Sequence, residues 1–159
     1  MRLLANRKES EPDKTRWALW RWLDIKDKFN GDLYLTRLTI FRCPLFQVLL
    51  HWIHRPDPTE DLHDHPWAFV GAVIDGGYTE VTGTPHEDKL INTDANKVDF
   101  LIKKTDPTEA HSIVAVQPGT KTLILTGPRR REWSFYTPLG KKPGDGDVLA
   151  VQTPWRDRL

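Results

Sequence analysis

From Asp32 onward, short β-type runs are broken by a turn signal about every ten residues. That rhythm restricts the chain to an all-β sandwich or barrel. The breaks are Cys43-Pro44, Pro56 and Pro58, Asp75-Gly76-Gly77, Pro118-Gly119 and Gly127-Pro128. Between them, strands are expected over residues 33–42, 45–54, 65–74, 78–82, 89–91, 98–103, 111–117, 121–126 and 132–137. A last short strand is expected at 148–151, after a Gly/Lys/Asp-rich loop at 140–146. No alternation of strand and helix is visible, which argues against a parallel sheet.

The segment before Asp32 reads differently. Residues 1–14 are polar and suggest a loose arm. Thr15 can cap a helix over 16–28, in which Trp17, Trp20 and Leu23 fall at i, i+3 and i+6 on one face. Asn30-Gly31 would end it, since glycine is favoured just past a helix. The expected organisation is an arm and short helix over 1–31 and one barrel over 32–159. A chain of 159 residues holds one core of useful size, not two.

Composition excludes several roles. The net charge of +1 lacks the basic surplus that phosphate binding needs, so no nucleic-acid partner is expected. No apolar run approaches the ~20 residues of a membrane-spanning helix. The start of the chain lacks the pattern of a secretory signal, and Cys43 is the single cysteine. These features lead us to expect a cytoplasmic protein.

The chemistry is concentrated in Leu62-His63-Asp64-His65-Pro66-Trp67. On a strand, residues i and i+2 share a face roughly 6–7 Å apart, so two imidazoles can converge on one ion while Asp64 points away. Pro66 pushes the residue before it out of the helical region and keeps His65 extended. Trp67, Phe69, Gly71 and Val73 continue that face, which turns both histidines toward an apolar interior. Unpartnered histidines there would be costly, and a metal removes the cost. A third ligand is needed from His51, His54, Glu80, His86 or His111. His86 lies in a turn-rich stretch and reads as surface, and His51 and His54 have opposite parity. His111 opens an apolar strand just as His63 does, so it is the expected third ligand.

The stretch from His63-Asp64-His65 through Gly76-Gly77 resembles the first conserved motif of the cupin superfamily. The stretch from His111 through Pro118-Gly119 to Thr126 resembles the second. The resemblance implies a jelly-roll barrel of antiparallel strands. Three histidines without a carboxylate are similar to the iron site of cysteine-dioxygenase-like cupins. The usual cupin glutamate position falls at Phe69 or Val70, so a three-histidine-one-glutamate site is absent as written. The position where cysteine dioxygenases proper often carry a cysteine is Val70, which argues against cysteine as the substrate.

The resemblance further implies one divalent metal ion, Fe(II) first, with Zn, Ni or Mn as alternatives. It implies an oxygenase acting on a small molecule. A non-redox isomerase, epimerase or lyase, and a non-catalytic metal- or metabolite-binding module, are the other readings. Glu80, His51, His54 and Trp67 are candidates for contacts around the ion. Arg55 or Arg131 could hold an acid group of the substrate, since guanidinium offers a planar fork of donors. Cupin-like barrels often pair through sheet edges, so a homodimer is expected, with the Trp17/Trp20 face against such an edge.

Overall fold

The computed structural model describes residues 17–27, 30–99, 102–154 and 157. Within them lie twelve strands in two layers. The first layer is a six-stranded sheet in the order β1-β2-β3-β10-β5-β8. Its strands are β1 (Ala18–Lys26), β2 (Leu33–Arg42), β3 (Gln47–Ile53), β5 (Phe69–Asp75), β8 (Ile102–Thr105) and β10 (Lys121–Thr126). The second is a closed barrel in the order β11-β12-β7-β6-β9-β4. It comprises β4 (Leu62–His63), β6 (Tyr78–His86), β7 (Lys89–Val98), β9 (Ala110–Val116), β11 (Ser134–Pro138) and β12 (Asp145–Pro154). Every pairing is antiparallel.

The barrel shows how period-two alternation sorts side chains. One buried residue from each strand fills it: Leu62, Val81, Leu90, Ala110, Tyr136 and Ala150. Burying a large aliphatic such as Leu62 or Leu90 contributes roughly 1.5–3 kcal/mol. The neighbours of these residues must then face the other way. Those neighbours include His63 beside Leu62, Glu80 beside Val81, His111 beside Ala110 and Phe135 beside Tyr136. Phe69 and Lys103, from the six-stranded sheet, meet them there. The polar group of interest therefore lies between the barrel wall and the inner face of the sheet.

Two sequence expectations are corrected. The predicted helix over 16–28 is not present: residues 18–26 form β1, paired antiparallel with β2 from Ala18↔Arg42 to Lys26↔Leu33. No helix longer than an isolated 3₁₀ residue occurs among the described residues. The i, i+3, i+6 spacing of Trp17, Trp20 and Leu23 suits a helix, whereas period two separates Trp20 from the other two. The open edge of β2 decides it, because pairing satisfies backbone groups that would otherwise need water. Trp20 sits at φ 49 between the paired residues Leu19 and Arg21, and the register shifts only further along, between Ile25 and Lys26. The second correction concerns the expected strand over 65–74. It begins only at Phe69, and β4 ends at His63. Residues 1–14 of the predicted arm lie outside the described residues.

The Asp75-Gly76-Gly77 turn is as expected, and its glycine is required. Gly76 has φ +69, and a Cβ there would stand 2.5 Å from Thr120 Oγ1 and 2.9 Å from Thr120 Cα. Thr120 cannot yield, because its hydroxyl holds both the amide and the carbonyl of Gly77. Gly76→Ala should destabilise the fold by about 2 kcal/mol, read as a shift in the urea midpoint at unchanged slope. A shift below about 0.5 kcal/mol would contradict this account of the turn.

Candidate metal centre

His63 and His111 are direct cross-strand partners on β4 and β9, so their side chains leave the barrel on the same face. Their ring centroids are 4.9 Å apart. His65 comes from the irregular segment after β4 and stands 5.2 Å from the His63 ring and 5.0 Å from the His111 ring. The Nε2 atoms of His65 and His111 are 2.8 Å apart. One donor nitrogen from each of the three lies within 4.8 Å of the other two.

The His63–His65 segment is held by its central acid. Asp64 is fully buried, and its carboxylate accepts hydrogen bonds from the Ser134 amide at 2.7 Å and the Tyr136 hydroxyl at 2.9 Å. Arg131 Nη2 adds a charge-assisted contact at 2.8 Å. The loop over 127–131 binds the next residues: the Arg130 amide donates to Pro66 O and the Gly127 amide to Ala68 O. Asp64 thus fixes the chain on the side away from the imidazoles. Its departure from strand geometry is what lets His65 swing beside His111.

Behind His111, Glu80 is 2% exposed, and His111 Nδ1 lies 3.0 Å from its Oε2. Lys103 binds the other oxygen of Glu80 and is itself 3.0 Å from Glu109. Burial alone would raise the Glu80 pKa, but His111 and Lys103 outweigh it and hold it below the ordinary value. An ionised Glu80 accepts the Nδ1 proton of His111 and leaves Nε2 with its lone pair toward His65. A carboxylate behind a ligating histidine is the usual device for fixing tautomer and ring orientation.

The donor set fits a divalent ion of the nitrogen-preferring kind. Bonds of about 2.1 Å at roughly 90–109° would separate two ligand nitrogens by ~3.0–3.4 Å, close to the 2.8 Å between His65 and His111. Burial lowers the His63 pKa to about 4; Asp57 opposes the shift and His111 adds to it. Burial also lowers His65 well below its ordinary value, with His111, His63, Arg37 and His51 reinforcing it. Neutral imidazoles are the ligating form. Phe69 packs edge-on against His65 at 5.1 Å, and Trp133 and Phe135 both lie 6.1 Å from His63. These rings give the cluster an apolar wall.

The low pKa values set a pH dependence for the metal-free protein. Between 6.5 and about 4 the unfolded chain binds more protons at position 63 than the folded one. Stability therefore rises with pH across that window and is lost as pH falls through it. For His63 alone the loss is about 2 kcal/mol by pH 5, and His65 acts in the same direction. Urea titrations of chelator-treated protein at pH 7 and pH 5 measure it. Equal stability at both would show that the imidazoles are not desolvated in the folded state.

The remaining sequence candidates fall into place around this group. His51 lies on the inner face of β3, where it accepts a hydrogen bond from Arg37 Nε at 3.0 Å. Thr36 Oγ1 lies 3.0 Å from His54 Nε2 and also bonds Asp24, so His54 belongs to another cluster. Arg55 pairs with Asp32, and Arg131 is engaged by Asp64 and by the Pro107 carbonyl. Trp67 is half-buried in the loop after Pro66, and His86 is exposed at the end of β6. Sequence reading passed over Lys103 and Arg37. Lys103-Lys104 looks like an ordinary solvated edge, and Arg37 sits in a run with no clean alternation. Only the registers Gly71↔Lys103 and Arg37↔His51 put both on the inner face.

No protein-family model matches this sequence, and no curated protein matches it. Solved structures do match. KdgF from Halomonas sp. aligns with a TM-score of 0.51 at 17% identity, over 69% of this chain and 89% of that one. Hydroxypropylphosphonic acid epoxidase from S. wedmorenis gives 0.48 at 14% identity, over 67% of this chain and 55% of that one. CapF from Staphylococcus aureus gives 0.48 at 12% identity, over 84% of this chain and 32% of that one. These are cupin-fold proteins, and the match to KdgF shows that this chain has the cupin fold. Among the described residues no helix is long and apolar enough to cross a membrane.

Proposed function

We propose that this chain is a mononuclear metal-dependent cupin that binds one divalent ion on His63, His65 and His111 and acts on a small anionic molecule. The observation that carries the reading is the convergence of three imidazoles, His111 buried and His63 and His65 half-buried, with Glu80 against Nδ1 of the third. A bound ion would act as a Lewis acid and, as Fe(II), would also support oxygen chemistry.

The chain's own residues supply the rest. Glu80 holds a proton at His111 Nδ1 and is kept ionised by Lys103. Phe69, Trp133 and Phe135 wall the cluster with apolar rings. Three imidazoles bring no negative charge to a dication, so an anionic substrate balances it. Arg37, on the same inner face as His51, is close enough to lower the His65 pKa by its charge. Its guanidinium also donates to His51, and of Arg37, Arg55 and Arg131 it is the one whose charge acts on His65, which makes it the residue to hold an acid group.

The favoured reaction is oxygenation with Fe(II), by resemblance to three-histidine iron cupins. The test is anaerobic loading with Fe(II), followed by oxygen-electrode measurements with small carboxylates and thiols. Oxygen uptake that needs both iron and substrate is the expected result. Turnover of a substrate without oxygen, with Zn(II) or Mn(II) as effective as Fe(II), would replace this reading with a non-redox one.

A further inference from the structure

We propose that the outer face of the six-stranded sheet is a self-association surface, through which two copies of this chain pack face to face. The registers place one unbroken apolar row across all six strands: Trp22, Leu38, Leu50, Leu123, Ala72 and Ile102. A second row, two residues further along, runs Phe41, Val48, Leu125 and Val70 and ends on Lys104 at the sheet edge. These are the residues that alternation turns away from the metal centre. Trp22 is 47% exposed, Leu123 40%, Leu125 50% and Ile102 75%, while Leu38 between them is covered at 5% and Leu50 and Ala72 are half-buried. Soluble chains rarely leave so large a contiguous apolar surface uncovered without a use.

The face suits a second copy in area and in shape. Six strands at ~4.8 Å spacing span about 24 Å, and the two rows with the flanking Phe46 cover about 20 Å along the strands. That is roughly 500 Å² per copy, or ~1,000 Å² for a pair, which reaches the threshold of a specific interface. Sheets pack on sheets in this way in sandwiches, about 10 Å apart. The same face carries an open apolar groove of about 510 Å³ floored by Val70 and Leu125, and a projecting Ile102. A two-fold contact can set the projection of each copy toward the groove of the other.

The sheet edges do not offer the same opportunity. β8 is four residues long and carries Lys104, and β1 holds a left-handed residue at Trp20 and a register shift between Ile25 and Lys26. Short, charged and bulged edges are the features that discourage edge-to-edge pairing. The apolar rows also stop at a polar border where Lys121 pairs with Asp75 at 2.6 Å.

Light scattering on the full chain at 5–200 µM tests this without reference to any metal. The expected mass is twice the 18.4 kDa of one chain. Leu123→Glu should shift the protein to monomer, with a dissociation constant raised at least 100-fold and an unchanged circular dichroism spectrum. Val114→Glu, on an exposed position of the barrel, should remain dimeric. If Leu123→Glu does not fold, Ile102→Glu on the edge strand carries the same expectation. A monomeric wild type at 200 µM would overturn the proposal, as would a dimer that survives these substitutions. So would a wild type that is monomeric alone but cosediments with phosphatidylcholine–phosphatidylserine vesicles, since the occupant would then be a lipid surface.

Discussion

His65→Ala is expected to lower the affinity for a divalent ion by at least about 100-fold, and His63→Ala and His111→Ala by as much. Each removes one of three nitrogens that lie within 4.8 Å of one another, and two imidazoles hold a divalent ion far more weakly than three. The series is graded. Glu80→Gln keeps all three imidazoles but loses the charge that fixes the His111 tautomer, so a loss of about 10-fold is expected, within the usual range for an outer partner. His86→Ala, exposed at the end of β6, should change nothing. Competitive titration against a chromogenic chelator, on variants with native circular dichroism, gives all five values. Full occupancy in His111→Ala together with loss in a His51→Ala or Glu80→Ala variant would move the third ligand. Full occupancy in every variant of the three histidines would end the metal reading.

Asp64→Ala is expected to destabilise the fold by about 3 kcal/mol, or roughly 6–12 °C in melting temperature for a chain of this length. The residue is fully buried and answers three donors: the Ser134 amide, the Tyr136 hydroxyl and Arg131. Removing it takes the acceptor from the Ser134 amide and from the Tyr136 hydroxyl inside the barrel, while Arg131 keeps the Pro107 carbonyl. The cost is set by desolvated groups left without partners rather than by the strength of the pair itself. Asp64→Asn keeps the shape and part of the hydrogen bonding, so it should cost less. A loss below about 1 kcal/mol for Asp64→Ala would mean that the loop over 127–131 holds the segment unaided. The predicted loss of stability also carries a loss of metal affinity, because Asp64 positions the backbone between His63 and His65.

Much of this was legible in the sequence, and the reasons differ by element. The all-β class followed from turn residues whose backbone demands are local, such as Gly76 with its φ of +69. The grouping of His63, His65 and His111 was legible because each begins or follows a run whose apolar alternation fixes which way it faces. The route was not. The spacing of His63 and His65 suggested two ligands on one strand, whereas the strand pair is His63↔His111 and His65 arrives from a bent segment. That bend depends on Asp64 meeting Ser134 and Tyr136 some seventy residues later, which no local pattern records. The helix expected over 16–28 failed for a related reason. A short run of three large apolar residues carries a helical period, and pairing with the edge of β2 overrode it. Lys103 and Arg37 were invisible because their importance is conferred by cross-strand neighbours alone.

The central claim is that three of the six histidines hold a single ion. Long-range ¹H–¹⁵N spectra of the imidazoles, recorded while Zn(II) is added to chelator-treated protein, test it most directly. The account predicts a change that saturates at one equivalent, with the nitrogen shifts of coordination at His63, His65 and His111. His54 and His86 should keep their metal-free signals. A titration without saturation, or coordination shifts at His54 or His86 in place of any of the three, would contradict it.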